Sequence, residues 1–445
     1  MRPDIATLAR RRTMFRAVAF VGVGEVAAKV GIVVATLVVA RTLGADLFGQ
    51  WSYAAAMAGV IGLLAEAGLT NALQRRIARG DEDPAHLVSN ALAMKVVAAL
   101  AAIALVGIIA VAGRKPGPVA LSLVMLGVFS IANTSGLMVQ GVFRATAASH
   151  LDAAARVGQQ IMLVGAVFVL ATMSAGVIAF SAGCAVTGAI GVAMSLWILH
   201  RHAIPVRVRF DFDVWRSLGH DAWPFWVAGM FWIAYFRVDV VILSYLGTDR
   251  QTGLYNLAYN GFQVLTVPSA VLAGALYPSF AHLYKHEVAR FERLRWRTHI
   301  ASLFAGAAIA GAASLAVGPG IRLIAGPEYA GSILLFRVLT LGLVFLYPNY
   351  LMFQTLSAAG RQRLVMVAAG VGAASNVCLN FALVPSFQAL GASIATISTE
   401  AVVFCVLSVM AWRALSVTGG QKTPAILIVE PSNRELQAPD TQRAA

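Results

Sequence analysis

Long apolar runs alternate with short polar segments along almost the whole chain. A helix needs about 20 apolar residues to cross a bilayer. The first run, 15–40, is 26 residues long, well beyond the apolar core of about 7–15 residues in a cleaved signal peptide, so we expect it to persist as a span. The pattern predicts an all-α integral membrane protein of about twelve transmembrane helices, at residues 15–40, 50–73, 88–112, 119–143, 157–175, 177–199, 222–246, 253–280, 300–325, 333–356, 364–384 and 390–412.

The composition excludes an ordinary soluble enzyme. Of the 445 residues, 59% are hydrophobic and 12% charged, whereas soluble proteins carry roughly 45–50% apolar and about 25% charged residues. The short connecting segments leave no room for a folded domain outside the membrane. We also expect no metal and no cofactor. The three cysteines lie far apart, the chain contains no phosphate-binding G-x-x-x-x-G-K-[ST] run, and a match to the dinucleotide fingerprint at residues 22–27 lies inside an apolar helix.

Lysine and arginine are divided unevenly between the two sets of connecting segments. If the N-terminus lies inside the cell, 25 of the 34 Lys and Arg fall in cytoplasmic segments and five in outer ones, namely Arg41, Arg114, Lys115, Arg250 and Arg322. Cytoplasmic flanks retain positive charge, so both termini are predicted to be cytoplasmic. The same asymmetry explains the net charge of +14 without a nucleic-acid partner.

Two similar turns indicate an internal duplication. Residues 43–51 read L-G-x-D, then G-x-aromatic, and the pattern recurs with one inserted residue at 246–255; a weaker pair lies at Gln140 and Gln354. Six spans is an even number, so the halves keep one orientation, and such parallel repeats are an architecture of secondary transporters. We predict a cytoplasmic N-terminus, an N-lobe, a cytoplasmic linker, a C-lobe and a disordered tail, at residues 1–14, 15–200, 201–221, 222–412 and 413–445.

The repeated turn is interpreted as structural rather than as a binding site. Gly44 can end a helix in the left-handed conformation, Asp46 can cap the next helix, and Gly49 lets two backbones approach closely.

The same segments resemble a known family. Residues 40–49, with Glu66-Ala67-Gly68-Leu69 before a basic loop, and residues 237–255 with Pro268 are similar to bacterial O-antigen and exopolysaccharide flippases of the multidrug, oligosaccharidyl-lipid and polysaccharide exporter superfamily. The resemblance implies two six-helix lobes around a central cavity that opens alternately to each side. It further implies that the chain carries undecaprenyl-diphosphate-linked oligosaccharide across the bacterial inner membrane for lipopolysaccharide or exopolysaccharide biosynthesis, with glycosyltransferases and a polymerase as partners.

Charged residues inside the spans are the candidate site, because each costs about 2.5–3.5 kcal/mol on insertion scales. Glu25 and Lys29 are spaced i, i+4 in the first span. They either neutralise each other or leave Lys29 to reach a phosphate from the cavity.

Arg237 and Asp239 lie in the middle of the seventh span. Two residues apart, they point about 200° apart on a helix and cannot pair with each other. The resemblance puts them at a charged position of the family, and we predict that Arg237 contacts the diphosphate; a buried salt bridge is the alternative. Lys29 precedes Leu43 by 14 residues and Arg237 precedes Leu246 by nine, so the two cations are predicted to differ by about 7 Å in depth, as a short ladder in one cavity.

Glu66 and Glu400 are the remaining carboxyls inside spans. With Asp239 they are candidates for ion coupling, although a neutral hydrogen-bonded core carboxyl is the alternative for Glu400. Lys95 and Arg337 lie near span ends, where we expect them to reach the interface.

Three functions compete for this sequence. A lipid-linked oligosaccharide flippase fits the cations in the spans. A drug or cation antiporter of the same superfamily predicts a cavity of carboxylates and aromatics. A sugar polymerase or ligase usually needs a large outer loop, which the sequence lacks, and we therefore predict that the protein is not an enzyme.

Overall fold

Helices make up almost all of the described chain. The computed structural model describes residues 5–80, 82–113, 115–146, 148–202, 204 and 209–416, with the side chains of 5–23, 25–27 and 202 outside that description. In these segments the helices are α1 Ile5–Glu66, α2 Leu69–Arg79, α3 Pro84–Ala112, α4 Gly117–Ala145, α5 Ser149–Thr172, α6 Val177–His202, α7 Phe212–Phe236, α8 Val238–Leu246, α9 Asp249–His286, α10 Val288–Ile324, α11 Ala330–Leu341, α12 Leu343–Ala358 and α13 Gln362–Ser416, with a 3-10 turn at Pro327–Tyr329.

Two of these helices, α1 and α13, each cross the membrane twice. The apolar segments 28–79 and 362–415 contain 52 and 54 residues, which would extend about 80 Å as straight helices, against a hydrocarbon core of about 30 Å. The first is interrupted at Gly44 and the second at Gln388. A Cβ at Gly391 would lie 2.5 Å from the Leu383 carbonyl oxygen, although eight helical residues span about 12 Å, so the chain folds back there.

Two other spans consist of broken helices. The α7–α8 pair is bent by 49° and the α11–α12 pair by 44°. Counting each pair as one crossing, α1 and α13 as two each, and α2 as the end of the second crossing gives the predicted twelve spans. Several helices extend beyond the apolar runs: α7 begins ten residues before the predicted span at 222, and α13 continues to Ser416. The rest of the predicted disordered tail, residues 417–445, lies outside the described residues.

The two ends of the molecule are packed differently. At the end that carries Gly44, here called the Gly44 end, one hydrophobic core includes residues of both lobes, among them Phe48 and Tyr255. At the opposite end, called the Arg76 end, the core divides into a cluster around Leu73 and Phe143, which also contains Leu218 and Ala222 of α7, and a separate C-lobe cluster. The lobes therefore share one large core at the Gly44 end, whereas at the Arg76 end α7 packs on the N-lobe.

The repeated turns of the two lobes pack directly against each other. A Cβ at Gly49 would overlap the Asp249 carbonyl oxygen, and one at Gly253 would overlap the Ala45 carbonyl oxygen. Gly44 has a φ of +75°, as predicted, whereas Gly247 is extended with a φ of −116°. The described contact of Asp46 is an ion pair with Arg250 at 3.6 Å, so the duplicated motif joins the lobes at the Gly44 end.

Candidate functional site

The break between α7 and α8 places Arg237 inside the C-lobe. Arg237 separates the two helices with φ −137° and ψ −15°. Broken helices leave backbone groups without intrahelical partners, and in membranes these need other partners. The Tyr259 hydroxyl of α9 donates to the Phe236 carbonyl at 2.8 Å, and the Asp239 carboxylate accepts from the Val240 N–H at 2.8 Å. Both sides of the break are thus stabilised by side chains.

Asp239 begins a buried polar chain. Its side chain is 1% exposed and is hydrogen-bonded to the Tyr255 hydroxyl. That hydroxyl also contacts Thr396 Oγ1 at 3.2 Å, and Thr396 reaches the Ala392 carbonyl at 3.0 Å. The chain connects α8, α9 and the second arm of α13.

Glu400 lies one turn further along α13 and is also buried. The Asn349 amide donates to Glu400 Oε2 at 2.9 Å and to its backbone carbonyl at 3.0 Å, and the Tyr235 hydroxyl is a further partner of the carboxyl. This group borders an open cavity of about 390 Å³ between α7, α12 and α13, lined mainly by aromatic side chains, among them Phe231, Trp232, Tyr235, Tyr350 and Phe353.

The two predicted phosphate contacts are both without described partners. Arg237 is half-buried and Lys29 is exposed, and within the described part of the chain neither side chain makes a hydrogen bond or an ion pair. A buried salt bridge of Arg237 with another side chain, the alternative that the sequence left open, is therefore not formed within the described residues. Glu25, the candidate-site residue that could neutralise Lys29, lies outside the residues with described side chains. That Lys29 and Arg237 share one cavity stays a prediction.

Glu66 binds backbone N–H groups at the start of α2, a role that its position in the sequence does not indicate. Its two carboxylate oxygens accept from the Gly68 N–H at 2.7 Å and the Thr70 N–H at 2.9 Å, where α1 ends and α2 begins. These are backbone donors that a helix start leaves unpaired. The carboxylate of Glu66 is thus held by two backbone hydrogen bonds, and its part in ion coupling stays a prediction.

The expectation for Lys95 was wrong. Lys95 is 3% exposed and does not reach an interface. Its ammonium donates to the Ala65 carbonyl and to Thr134 Oγ1, both at 3.0 Å. A free carbonyl at the broken second span offers a buried lysine a partner that sequence spacing cannot reveal. Arg337, by contrast, is exposed and donates to the Ser314 carbonyl at 3.1 Å.

Five polar residues of the C-lobe site were missed by sequence reasoning: Tyr235, Tyr255, Tyr259, Asn349 and Thr396. Tyr255 and Tyr259 offered one signal, because their i, i+4 spacing after the repeated turn puts both on one face of α9. Among the described residues, no group of three or more His, Cys, Asp or Glu side chains is arranged to hold a metal ion.

The Gly44 end closes over this site. The Tyr53 and Tyr245 hydroxyls, one from each lobe, lie 2.6 Å apart, and the Lys115 ammonium lies 5.0 and 5.3 Å from their ring centroids. Lys115 also donates to the Ser244 carbonyl at 2.7 Å. These contacts between the lobes shut one side of the molecule.

Known proteins share this architecture. A family model described as polysaccharide biosynthesis protein matches residues 16–284. A search of curated proteins finds no match. The fold is similar to a multidrug resistance MATE family transporter of the MOP superfamily in an inward-facing conformation (TM-score 0.73, 14% identity, 88% of this chain and 96% of that chain). It is also similar to the lipid II flippase MurJ in an inward-closed conformation (TM-score 0.70, 11% identity, 88% of this chain and 87% of that chain).

An outward-facing MATE transporter of the MOP superfamily aligns with a TM-score of 0.57 at 13% identity, over 92% of this chain and 96% of that chain. The match over more than half of its length, together with the apolar helices, makes the chain a multi-pass membrane protein that belongs to the polysaccharide biosynthesis protein family and shares the fold of these transporters.

Proposed function

We propose that this protein flips undecaprenyl-diphosphate-linked oligosaccharide across the bacterial inner membrane for polysaccharide biosynthesis. The observation that carries the proposal is Arg237, a cation at a helix break inside a span; its side chain makes no hydrogen bond or ion pair with a described residue. A charge in the membrane is costly and marks a ligand path or a partner. The family match and the similarity to a lipid II flippase favour a lipid-linked sugar as that ligand.

Lys29 supplies the second phosphate contact in this proposal. It lies on α1 in the other lobe, two residues before Gly31, which packs against Gln160 of α5. A diphosphate held between the lobes would be bound by one cation from each lobe, with Glu25 setting the charge near Lys29 and Asp239 that near Arg237. The predicted offset of about 7 Å spreads these contacts along the path, which avoids a single site that binds too tightly.

The cavity is proposed to open toward the Arg76 end in this conformation. The shared core at the Gly44 end and the divided core at the other end support this orientation. The higher similarity to the inward-facing than to the outward-facing MATE structure supports it as well. A headgroup would then enter from the cytoplasm and leave after the contacts around Tyr53, Tyr245 and Lys115 separate.

Asp239 and Glu400 are the proposed ion-coupling carboxyls. The number of hydrogens available in the buried polar chain supports a protonated Asp239. Three hydrogen bonds link Asp239, Tyr255, Thr396 and the Ala392 carbonyl. The two hydroxyl groups supply only two hydrogens, so a third hydrogen, on Asp239, completes the chain. Glu66 is the weaker candidate, because its oxygens already accept two backbone N–H groups.

Glycan export by single variants tests the flippase proposal. Lys29→Ala and Arg237→Ala should each reduce surface glycan at least tenfold at normal protein level, with lipid-linked oligosaccharide accumulating on the inner leaflet. Lys29→Arg and Arg237→Lys should retain partial export, since each keeps the charge. Arg337→Ala removes an exposed cation of the C-lobe and should export normally. Wild-type export by Arg237→Ala would refute its role as a phosphate contact.

A second candidate, cation or drug antiport, is favoured by one observation. The cavity beside Glu400 is lined by a carboxyl and aromatic rings, which suits an organic cation. On the flippase proposal, cells that express the protein should accumulate a cationic dye as much as cells without it, and Glu400→Gln should leave dye levels unchanged. Dye export that Glu400→Gln abolishes would establish the antiporter instead.

A further inference from the structure

Two arginines near the start of α10 have no acidic partner. Arg293 and Arg297 lie at the Arg76 end and are both exposed. Arg293 Nε donates to the Ala289 carbonyl of its own helix at 3.3 Å, and neither arginine forms an ion pair with a described residue. Side chains at i and i+4 are neighbours on a helix surface, with Cβ atoms about 5–6 Å apart. The two guanidinium groups can therefore reach one anion.

The acidic groups of this segment are already paired with other arginines. Glu287 pairs with Arg290 at 2.7 Å, and Glu292 accepts from Arg295 Nε at 3.1 Å. Glu292 also lies about 100° away from Arg293 around the helix axis. The segment 285–297 contains five basic and two acidic residues, a net charge of +3.

The neighbouring helices do not cancel this charge. In the described chain, α10 packs against α9, α11 and α12. Among these helices, the only Asp or Glu is Asp249 at the start of α9, which lies at the Gly44 end. The exposed face of α10 at the Arg76 end therefore remains cationic.

An exposed apolar face continues along α10 from the arginines. Trp296, Ile300 and Phe304 are 55%, 52% and 67% exposed. With a rotation of about 100° per residue, all three lie within about 60° of Arg293 around the axis. The opposite face is buried in the C-lobe core, as at Phe291. The arginines and the apolar side chains thus share the outward face of one helix.

The distances along this face match one leaflet of a bilayer. Arg297 precedes the predicted span, which begins at Ile300, by three residues, about 4.5 Å along the axis. It therefore lies at the depth of the headgroups, where tryptophans such as Trp296 are enriched. Phe304 lies about 10 Å further along the axis, within the thickness of about 15 Å of one leaflet. A lipid with its headgroup at the arginines would place its acyl chains along Ile300 and Phe304.

Charge selects among the lipids that can cover this face. Arginines bind phosphate oxygens well, and each basic residue near the surface attracts anionic lipid by about 1 kcal/mol. A zwitterionic headgroup also carries a cation, which the two arginines repel. An acidic protein segment in the cytoplasm would neutralise the arginines but would leave Ile300 and Phe304 in the bilayer uncovered.

We propose that an anionic phospholipid of the cytoplasmic leaflet binds this face of α10, with its phosphate between Arg293 and Arg297 and its acyl chains along Ile300 and Phe304. The leaflet follows from the predicted orientation of the Arg76 end. Because the whole site belongs to one helix, binding does not require a particular arrangement of the lobes. It is also independent of the substrate that the protein carries.

A second arginine pair provides a matched control. Arg75 and Arg79 of α2 are likewise exposed, four residues apart and at the Arg76 end. The exposed residue one turn before them is Asn71, so this pair has the same charge and spacing without an apolar face beside it. An effect of net charge alone would be the same for both pairs.

The test is lipid binding to the purified full-length protein, measured by native mass spectrometry in detergent. Dioleoylphosphatidylglycerol should bind more tightly than dioleoylphosphatidylcholine, by roughly fivefold for each arginine. Arg293→Gln with Arg297→Gln should remove this preference, whereas Arg75→Gln with Arg79→Gln should keep it. Phe304→Ala should weaken binding of both lipids and leave the preference unchanged.

Three outcomes would overturn the proposal. Equal affinity of the wild type for the two lipids would remove the headgroup contact. An equal loss of preference in the two double variants would reduce the effect to net charge. Binding of glycerol phosphate as tightly as phosphatidylglycerol would show a phosphate site without a lipid chain.

Photo-crosslinking in vesicles of mixed phosphatidylglycerol and phosphatidylcholine tests the same face without changing the arginines. A crosslinking amino acid at Ile300 should capture phosphatidylglycerol in preference to phosphatidylcholine. The control position is Val96, which is 54% exposed on α3, a helix that begins beside Glu82 and Asp83, and it should capture no excess of phosphatidylglycerol. The same lipid ratio at both positions would refute the site, and in whole cells capture of a protein at Ile300 instead of lipid would assign the face to a protein partner.

Discussion

At the scale of single residues, the C-lobe site depends on hydroxyl groups that satisfy a broken helix. The Tyr259 hydroxyl is the described partner of the Phe236 carbonyl, and without it this carbonyl would lie beside the break with no hydrogen bond. Such a bond inside a membrane contributes on average about 0.6 kcal/mol and at most about 1.7 kcal/mol. The position of Arg237 follows from the same contact, since the arginine immediately follows Phe236.

Tyr259→Phe should therefore destabilise the protein and weaken glycan export together. We expect a loss of about 0.6–1.7 kcal/mol, measured as a lower midpoint of thermal unfolding in detergent. Tyr277→Phe is the control, because Tyr277 lies on the same helix, is 38% exposed and has no partner in the described chain. An unchanged midpoint and normal export for Tyr259→Phe would mean that the break does not need this hydroxyl.

At the scale of helices, the lobes are joined by two glycines that face each other. Gly49 of α1 and Gly253 of α9 each approach a backbone carbonyl of the other lobe too closely for a side chain. The repeated G of the two turns is thus explained by the contact between the repeats, and a methyl group at either position would force α1 and α9 apart.

Gly49→Ala should destabilise the protein by about 1–3 kcal/mol, the usual effect of overpacking, and lower the yield of folded protein. Gly59→Ala is the matched control on the same helix, because a Cβ there would meet no atom within 4 Å. Alanine favours the helix there, so this control should be neutral or slightly more stable. Equal unfolding midpoints for the two variants would contradict close packing of the repeated turns.

At the scale of the whole molecule, the basic residues are concentrated at one end, and the two lobes close together at the other end. Basic residues are concentrated at the Arg76 end, as at Arg76 itself, which pairs with Asp221 of α7 at 2.8 Å. The Gly44 end carries few. Since positive flanks stay in the cytoplasm, we predict that the closed end faces outward.

Cysteine labelling of intact cells tests this orientation. After the three native cysteines are replaced by serine, an impermeant reagent should label cysteines at Pro116 and Thr248 but not at Asp83 and His286. All four positions are exposed in the structure, so a difference in labelling reports the side of the membrane. Labelling of Asp83 or His286 before Pro116 would reverse the orientation.

The sequence by itself determined the twelve spans, their division into two halves and the glycines of the repeated turns. These features are local, because a span needs only a sufficient apolar length and a turn needs only residues with the right backbone freedom. It also singled out Arg237 and Asp239, since a charge in an apolar run is visible without any contact. Tertiary structure alone decided what those charges do. Asp239 and Glu400 have buried partners on other helices, Lys95 binds a carbonyl freed 30 residues away, and Arg237 has no described partner. Hydrogen bonds between distant segments depend on how helices pack, and helix packing in a bilayer leaves no periodic pattern in the chain from which the partners could be identified.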